Sequence, residues 1–163
     1  MARVRPNQPL VQSVLDRLLD NNPEVTREPP AGRHQVLREL KVAVRRDLEN
    51  LLNTRSRCLP FPDHSVELKR SLVNYGIPDV TGASLSSAQD RENFVPLLED
   101  VIRRHEPRFR KVKVVLLPGN DPQDRILRFR IDALLIAEPA PEPIVFDSEL
   151  HPRTGDFEVK EVS

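Results

Sequence analysis

Residues 104 to 115 read RHEPRFRKVKVV, and within them Glu106, Pro107 and Arg108 set an acid, a rigid ring and a guanidinium in a row. A carboxylate there could serve as a general acid, but an arginine two residues away favours its ionised form, the reverse of what proton donation at neutral pH requires. An ion pair is the expected state. Asp47 and Glu49 are the other carboxylates with suggestive spacing, since glycoside hydrolysis needs only two, roughly 5 to 9.5 Å apart across a sugar. Residues two apart on a helix point in different directions, so this pair cannot readily flank one bond; exposed or partner-directed charge is the expected role. His34, His64, His105 and His151 are scattered with no i, i+4 pair, and Cys58 is the single cysteine, so no metal site is expected. The five glycines form no phosphate cradle, and no nucleophile elbow is present, so no cofactor is expected either. The residue chemistry points away from catalysis, and at Glu106, Pro107 and Arg108 toward a helix stop with an internal salt bridge, with a charge-presenting corner for a partner as the alternative.

Composition sets the frame for these residues. A chain of 163 residues is large enough for one real core and too small for two comfortable ones. The expected division is an N-terminal helix and linker over 1–32 and a single domain over 33–163. Lys plus Arg and Asp plus Glu balance at 25 each, so no global field steers the chain toward nucleic acid or an anionic membrane. With no Trp, one Tyr and six Phe, base-stacking platforms are scarce and the core must be Leu, Val and Ile. A lone cysteine, a start without the apolar stretch of a secretory signal and no run of ~20 apolar residues lead to the expectation of a reducing, cytoplasmic setting.

The elements that must position Glu106 and Arg108 follow from periodicity. PLVQSVLDRLLDNNP places Val11, Val14, Leu15, Leu18 and Leu19 at helical spacing, a short amphipathic helix over residues 10 to 19 that must be held by packing, on its own domain or on a neighbour. The linker EVTREPPAGRH follows. HQVLRELKVAVRRDLENLLNTR then sets Leu37, Leu40, Val44, Leu48 and Leu51 on one stripe, with Arg38, Arg45, Arg46 and Arg55 on a basic polar side. Residues 68 to 75 add a helical turn or two. A third helix starts at Ser86 or Ser87, carries Phe94, Leu97, Leu98, Val101 and Ile102 toward the core, is bent or delayed by Pro96, and is stopped by Pro107. Beyond it the period becomes two, in KVKVVLLP, ILRFRIDALLIAE, PIVFDSEL and DFEVKEV. Leu127, Phe129, Ile131, Ala133 and Leu135 share one face. Helices first and then a small antiparallel sheet with a C-terminal hairpin make an α+β fold.

Several stretches in order resemble the TssE family of type VI secretion baseplate subunits, itself similar to the wedge protein of contractile-phage baseplates. They are SVLDRLLD (13–20), VRRDLENLLNTR (44–55), SLVNYGIPD (71–79), HEPRF (105–109), FRIDALL (129–135) and FDSEL (146–150). The resemblance implies a non-enzymatic part of a contractile injection machine, in a membrane-docked baseplate on the cytoplasmic side. It joins TssF- and TssG-like wedge proteins to a TssB/TssC-like sheath and supports sheath assembly; a TssK-like protein and the hub and spike are further expected partners. The family's Glu-Pro-Arg tripeptide, used in wedge contacts, matches Glu106, Pro107 and Arg108. Asp47, Glu49 and Arg55, with Leu15 and Leu18, complete the expected partner-binding set. Residues from about 126 to 162 are where the resemblance places sheath docking, with Val159 on the edge expected to accept a strand. Phage relatives have carried a lysozyme-like label, so a peptidoglycan glycoside hydrolase is the alternative reading, although no catalytic carboxylate pair is evident. Arg108→Ala is expected to cost the isolated protein only ~0 to 1 kcal/mol if the arginine is exposed.

Overall fold

A computed structural model of the chain describes residues 14–19, 23–24, 32–56, 67–68, 71–79, 85, 87–118, 126–137 and 140–162. Helix α1 spans Val14–Leu18, α2 Arg33–Asn53 and α3 Ala88–His105, with a 3-10 turn at Leu72–Asn74 between the last two. Four strands follow: β1 Phe109–Leu117, β2 Leu127–Leu135, β3 Glu142–His151 and β4 Asp156–Glu161. They pair antiparallel in the order β1-β2-β3-β4. This is the α+β architecture that the change of period implies.

Helix α2 turns Leu40, Val44, Leu48, Leu51 and Leu52 inward, with Leu37 half-buried at its start. Ser87 caps α3 by accepting the Asp90 N–H at 3.0 Å, and the helix buries Phe94, Leu98, Val101 and Ile102. Pro96 lies inside α3 on its exposed side without delaying the regular part, which already begins at Ala88.

Strand β2 alternates strictly: Leu127, Phe129, Ile131, Ala133 and Leu135 are buried on the face shared with Ile144, Phe146 and Leu150 of β3 and with Phe157 and Val159 of β4, while β1 breaks its alternation at a register shift between Phe109 and Lys111. Helix α2 packs on β4 and α3 on β1. Phe129 joins the layers, edge-on to Phe94 at 5.9 Å and stacked on Phe157 at 6.4 Å. On the opposite face, cross-strand ion pairs Arg128–Glu149 (3.1 Å) and Arg130–Asp147 (2.8 Å) cover the polar positions.

Candidate functional site

Pro107 has no N–H to continue a helix, and so α3 ends at His105 with Glu106 as its cap, the Glu106 N–H still reaching the Ile102 carbonyl at 2.8 Å. The chain then turns within two residues into β1. This corner buries Glu106 to 4 % exposure while leaving Pro107 outside. A buried carboxylate must be paired, and Glu106 is: its Oε1 accepts the Arg108 Nε–H at 2.6 Å and the Arg108 backbone N–H at 3.2 Å, and its Oε2 accepts Nη2.

Arg108 reaches further. Its Nη2 donates to Asp47 Oδ2 at 2.7 Å, across 61 residues of sequence, and its Nη1 lies 3.9 Å from Asp16 Oδ2. Arg46 closes the ring, donating from Nη2 to Asp16 Oδ1 at 2.8 Å and from Nε to Asp47 Oδ1 at 3.1 Å. Glu106, Arg108, Asp47, Arg46 and Asp16 therefore form one cluster that ties the α3–β1 corner, α2 and α1 together. Burial works against the charge of the Arg108 guanidinium, but its bonds to Glu106 and Asp47 outweigh that and hold its pKa above the usual arginine value. Arg46 is raised as well, first by its hydrogen bond to Asp16.

Beside the cluster lies a cavity of about 340 Å³ lined by Asp47, Leu51, Tyr75, His105, Glu106, Pro107 and Arg108. The Tyr75 and His105 rings meet edge-on at 5.2 Å. Burial lowers the His105 pKa against an opposing backbone hydrogen bond at Asn74. Burial also raises the Tyr75 pKa, helped by the charges of Asp47 and Glu106.

The residues singled out from sequence fall in four places. Glu106, Pro107, Arg108 and Asp47 come together, with the half-buried Asp47 carboxylate held by Arg108. Glu49 points elsewhere, pairing with Arg45 at 3.1 Å, so the two helix carboxylates do not flank a common point. Arg55 is an internal brace: it donates to the Gly155 and Leu52 carbonyls, the latter at 3.1 Å. Leu15 and Leu18 are 56 % and 75 % exposed while Asp16, between them, turns inward with a side chain only 7 % exposed. The apolar side of α1 is thus its outer side within the described residues.

Asp16, Arg46, Tyr75 and His105 are the members that sequence reading missed. Only Arg46 carried a signal, as part of the basic side of α2. Among the described residues no group of three His, Cys, Asp or Glu side chains could hold a metal ion. Cys58 and His64 lie outside the described residues. No described helix is long and apolar enough to cross a membrane. With both Glu106 oxygens held by Arg108, the buried carboxylate is not presented to a sugar.

The expected small cost of Arg108→Ala was tied to an exposed arginine, and that condition fails. The Arg108 side chain is 22 % exposed and holds a glutamate that is nearly dry, so its removal strikes the fold itself.

A two-layer α+β protein braced at one corner by an arginine–carboxylate cluster is the class that fold and site define. A family model described as baseplate wedge protein gp25 matches residues 38–140, a span that includes α2 from Arg38, the Glu106–Arg108 corner and the first two strands. The chain belongs to this baseplate wedge protein family, whose members are structural baseplate components. A solved chain from "The baseplate complex from the type VI secretion system" is similar at 17 % identity and a TM-score of 0.49, covering 77 % of this chain and 96 % of that one. No curated protein matches.

Proposed function

We propose that the chain is a TssE-like, non-enzymatic subunit of a type VI secretion baseplate, joining TssF- and TssG-like wedge proteins to a TssB/TssC-like sheath. The observation that carries this reading is the family match over residues 38–140, supported by the ordered motifs that resemble TssE. The work is done on the cytoplasmic side of a membrane-docked machine, with a TssK-like protein and the hub and spike as neighbours.

The site's part is mechanical. The cluster locks the α3–β1 corner so that Pro107 and the rim of the adjacent cavity are offered to wedge partners in one conformation. Pre-setting that corner lowers the entropy lost on assembly. Glu106 acts from beneath as the counter-charge that fixes Arg108, while the exposed Leu15 and Leu18 give the wedge an apolar contact next to the same corner.

Co-expression with TssF- and TssG-like proteins tests this reading. The chain should co-purify with them, and cells lacking it should fail to extend sheaths. Absence of any association together with normal sheath extension refutes the adaptor. Cleavage of peptidoglycan by the pure chain, abolished by Glu106→Gln, would favour the hydrolase instead.

A further inference from the structure

Five residues do not hold a helix by themselves, so α1 stays where something receives it. Its apolar residues Val14, Leu15 and Leu18 are exposed, as is Leu19 just beyond it, and the side chain that meets the body is Asp16. The position of α1 therefore depends on where that carboxylate is seated.

The seat is a pair of arginines from different elements. Arg46 of α2 donates from Nη2 to Asp16 Oδ1 at 2.8 Å, and Arg108 of the α3–β1 corner brings its Nη1 to 3.9 Å from Asp16 Oδ2. Two guanidinium groups converging on one carboxylate make a site suited to an acid. Asp16 fills it incompletely. A charge-assisted N–H···O bond runs at roughly 2.7 to 2.9 Å, and Arg108 Nη1 stands about 1 Å outside that reach. The Nε and Nη2 groups of Arg108 are committed to Glu106 and Asp47, whereas Nη1 is buried with no hydrogen-bond partner. A buried donor left unmade is unfavourable, and an aspartate, one methylene shorter than a glutamate, leaves it so. Asp47 and Glu106 already balance the two arginines. Asp16 is the third acid on two cations, and Arg46 is partly exposed, so solvent reaches the seat from one side.

We propose that α1 is a displaceable arm: Asp16 occupies a carboxylate seat made by Arg46 and Arg108, and the arm leaves when a glutamate of a partner chain takes that seat. The extra methylene of glutamate supplies the reach that Arg108 Nη1 lacks. The exchange replaces one carboxylate by another, so the charge balance is kept, and Glu106 and Asp47 hold Arg108 whichever acid is seated. While Asp16 is in place it lowers the apparent affinity of any outside acid by the fraction of time that the seat is filled. The arm is in this sense an autoinhibitory contact, and it goes beyond the baseplate reading because it does not depend on which proteins bind.

The test uses acetate as the probe and the isotope-labelled full chain as parent, Asp16→Asn and Asp16→Glu, with chloride at equal ionic strength as the control for screening. Asp16→Asn should bind acetate about tenfold more tightly than the parent, with shifts centred on the guanidinium signals of Arg46 and Arg108. In that variant the Leu19 amide, which donates to the Leu15 carbonyl at 3.0 Å, should lose exchange protection while the amides of Val44 to Leu51 keep theirs. Asp16→Glu should do the opposite, protecting Leu19 further and weakening acetate about tenfold. In the parent, acetate should release Leu19 at concentrations where chloride does not. Equal acetate affinity in the three chains, or release by chloride as readily as by acetate, overturns the proposal. So does a fall of α2 protection or a failure to fold in Asp16→Asn, which would make Asp16 part of the folding cluster, and so does an Asp16→Glu chain that binds acetate as the parent does. No wedge protein takes part, so this result and that of the co-purification fail independently.

Discussion

Arg108 is the residue on which the corner turns. Its replacement by alanine takes the cation from Glu106, which is 4 % exposed in the parent, and removes one of the arginines that Asp47 and Asp16 share. Removing one partner of a buried pair typically costs ~3 to 5 kcal/mol. Partial exposure of Asp47 and Arg108 puts Arg108→Ala at the lower end, about 3 kcal/mol. Arg108→Lys should recover only part of this, because a point charge cannot reach Glu106 and Asp47 together as the fork does. Urea unfolding of both variants measures it; an alanine variant within 0.5 kcal/mol of the parent, on the order of a surface change, would mean that the cluster contributes little. His105 adds a pH dependence. Its Nε2 is buried without a hydrogen-bond partner, and burial holds its pKa below the usual value of about 6.5. The unfolded chain therefore binds the proton first on acidification. Stability from this group is complete above about pH 6.5 and declines as pH falls through that value toward the lower folded pKa. Tm measured from pH 8 to 5 should fall less steeply in His105→Phe than in the parent; equal slopes count against the assignment.

At the scale of elements, most boundaries were legible because they rest on local chemistry. Ser87 caps α3, Pro107 stops it, and alternation at Leu127 to Leu135 sets the buried face of β2. What was not legible depends on residues far apart in sequence. Helix α1 shows its apolar residues outward because Asp16 finds two arginines across the molecule, and a periodicity argument assumes that the apolar stripe goes inside. Asp47 meets Arg108 across 61 residues and Asn53 meets Phe157 across 104, distances that no local pattern encodes. The link after α2 holds another such constraint. The Ile77 N–H reaches the Thr54 carbonyl at 2.9 Å and the Ser56 N–H reaches the Ile77 carbonyl at 2.8 Å, with Gly76 between them at φ 103°. A methyl on Gly76 would sit 2.8 Å from the Thr54 carbonyl carbon. Gly76→Ala should therefore cost at least ~1 to 3 kcal/mol from the dihedral alone, read as a lower urea midpoint with unchanged m. A neutral result would show that this link can move aside.

For the molecule as a whole, the family match from 38 to 140 covers α2 from Arg38, α3 and two strands, and omits α1. It also stops short of β3 and β4, whose Phe146, Leu150, Phe157 and Val159 are in the core, so the case for setting α1 apart rests on its packing. Within the described residues α1 buries no apolar side chain: Val14, Leu15, Leu18 and Leu19 are all exposed, and its tie to the body runs through Asp16. Removing it leaves Arg46 with Asp47 and Arg108 with Glu106 and Asp47, so each arginine keeps a carboxylate. A chain lacking residues 1–32 should then fold cooperatively and lose only about 1 kcal/mol, discounted because Arg46 is over a third exposed. That corresponds to a Tm lower by about 2 to 4 °C, with amide protection from Val44 to Leu51 kept. Its binding to wedge partners should suffer more than its stability, since the exposed leucines leave with the helix. If the truncated chain instead melts without cooperativity, the boundary at residue 32 is wrong and α1 belongs to the folding unit.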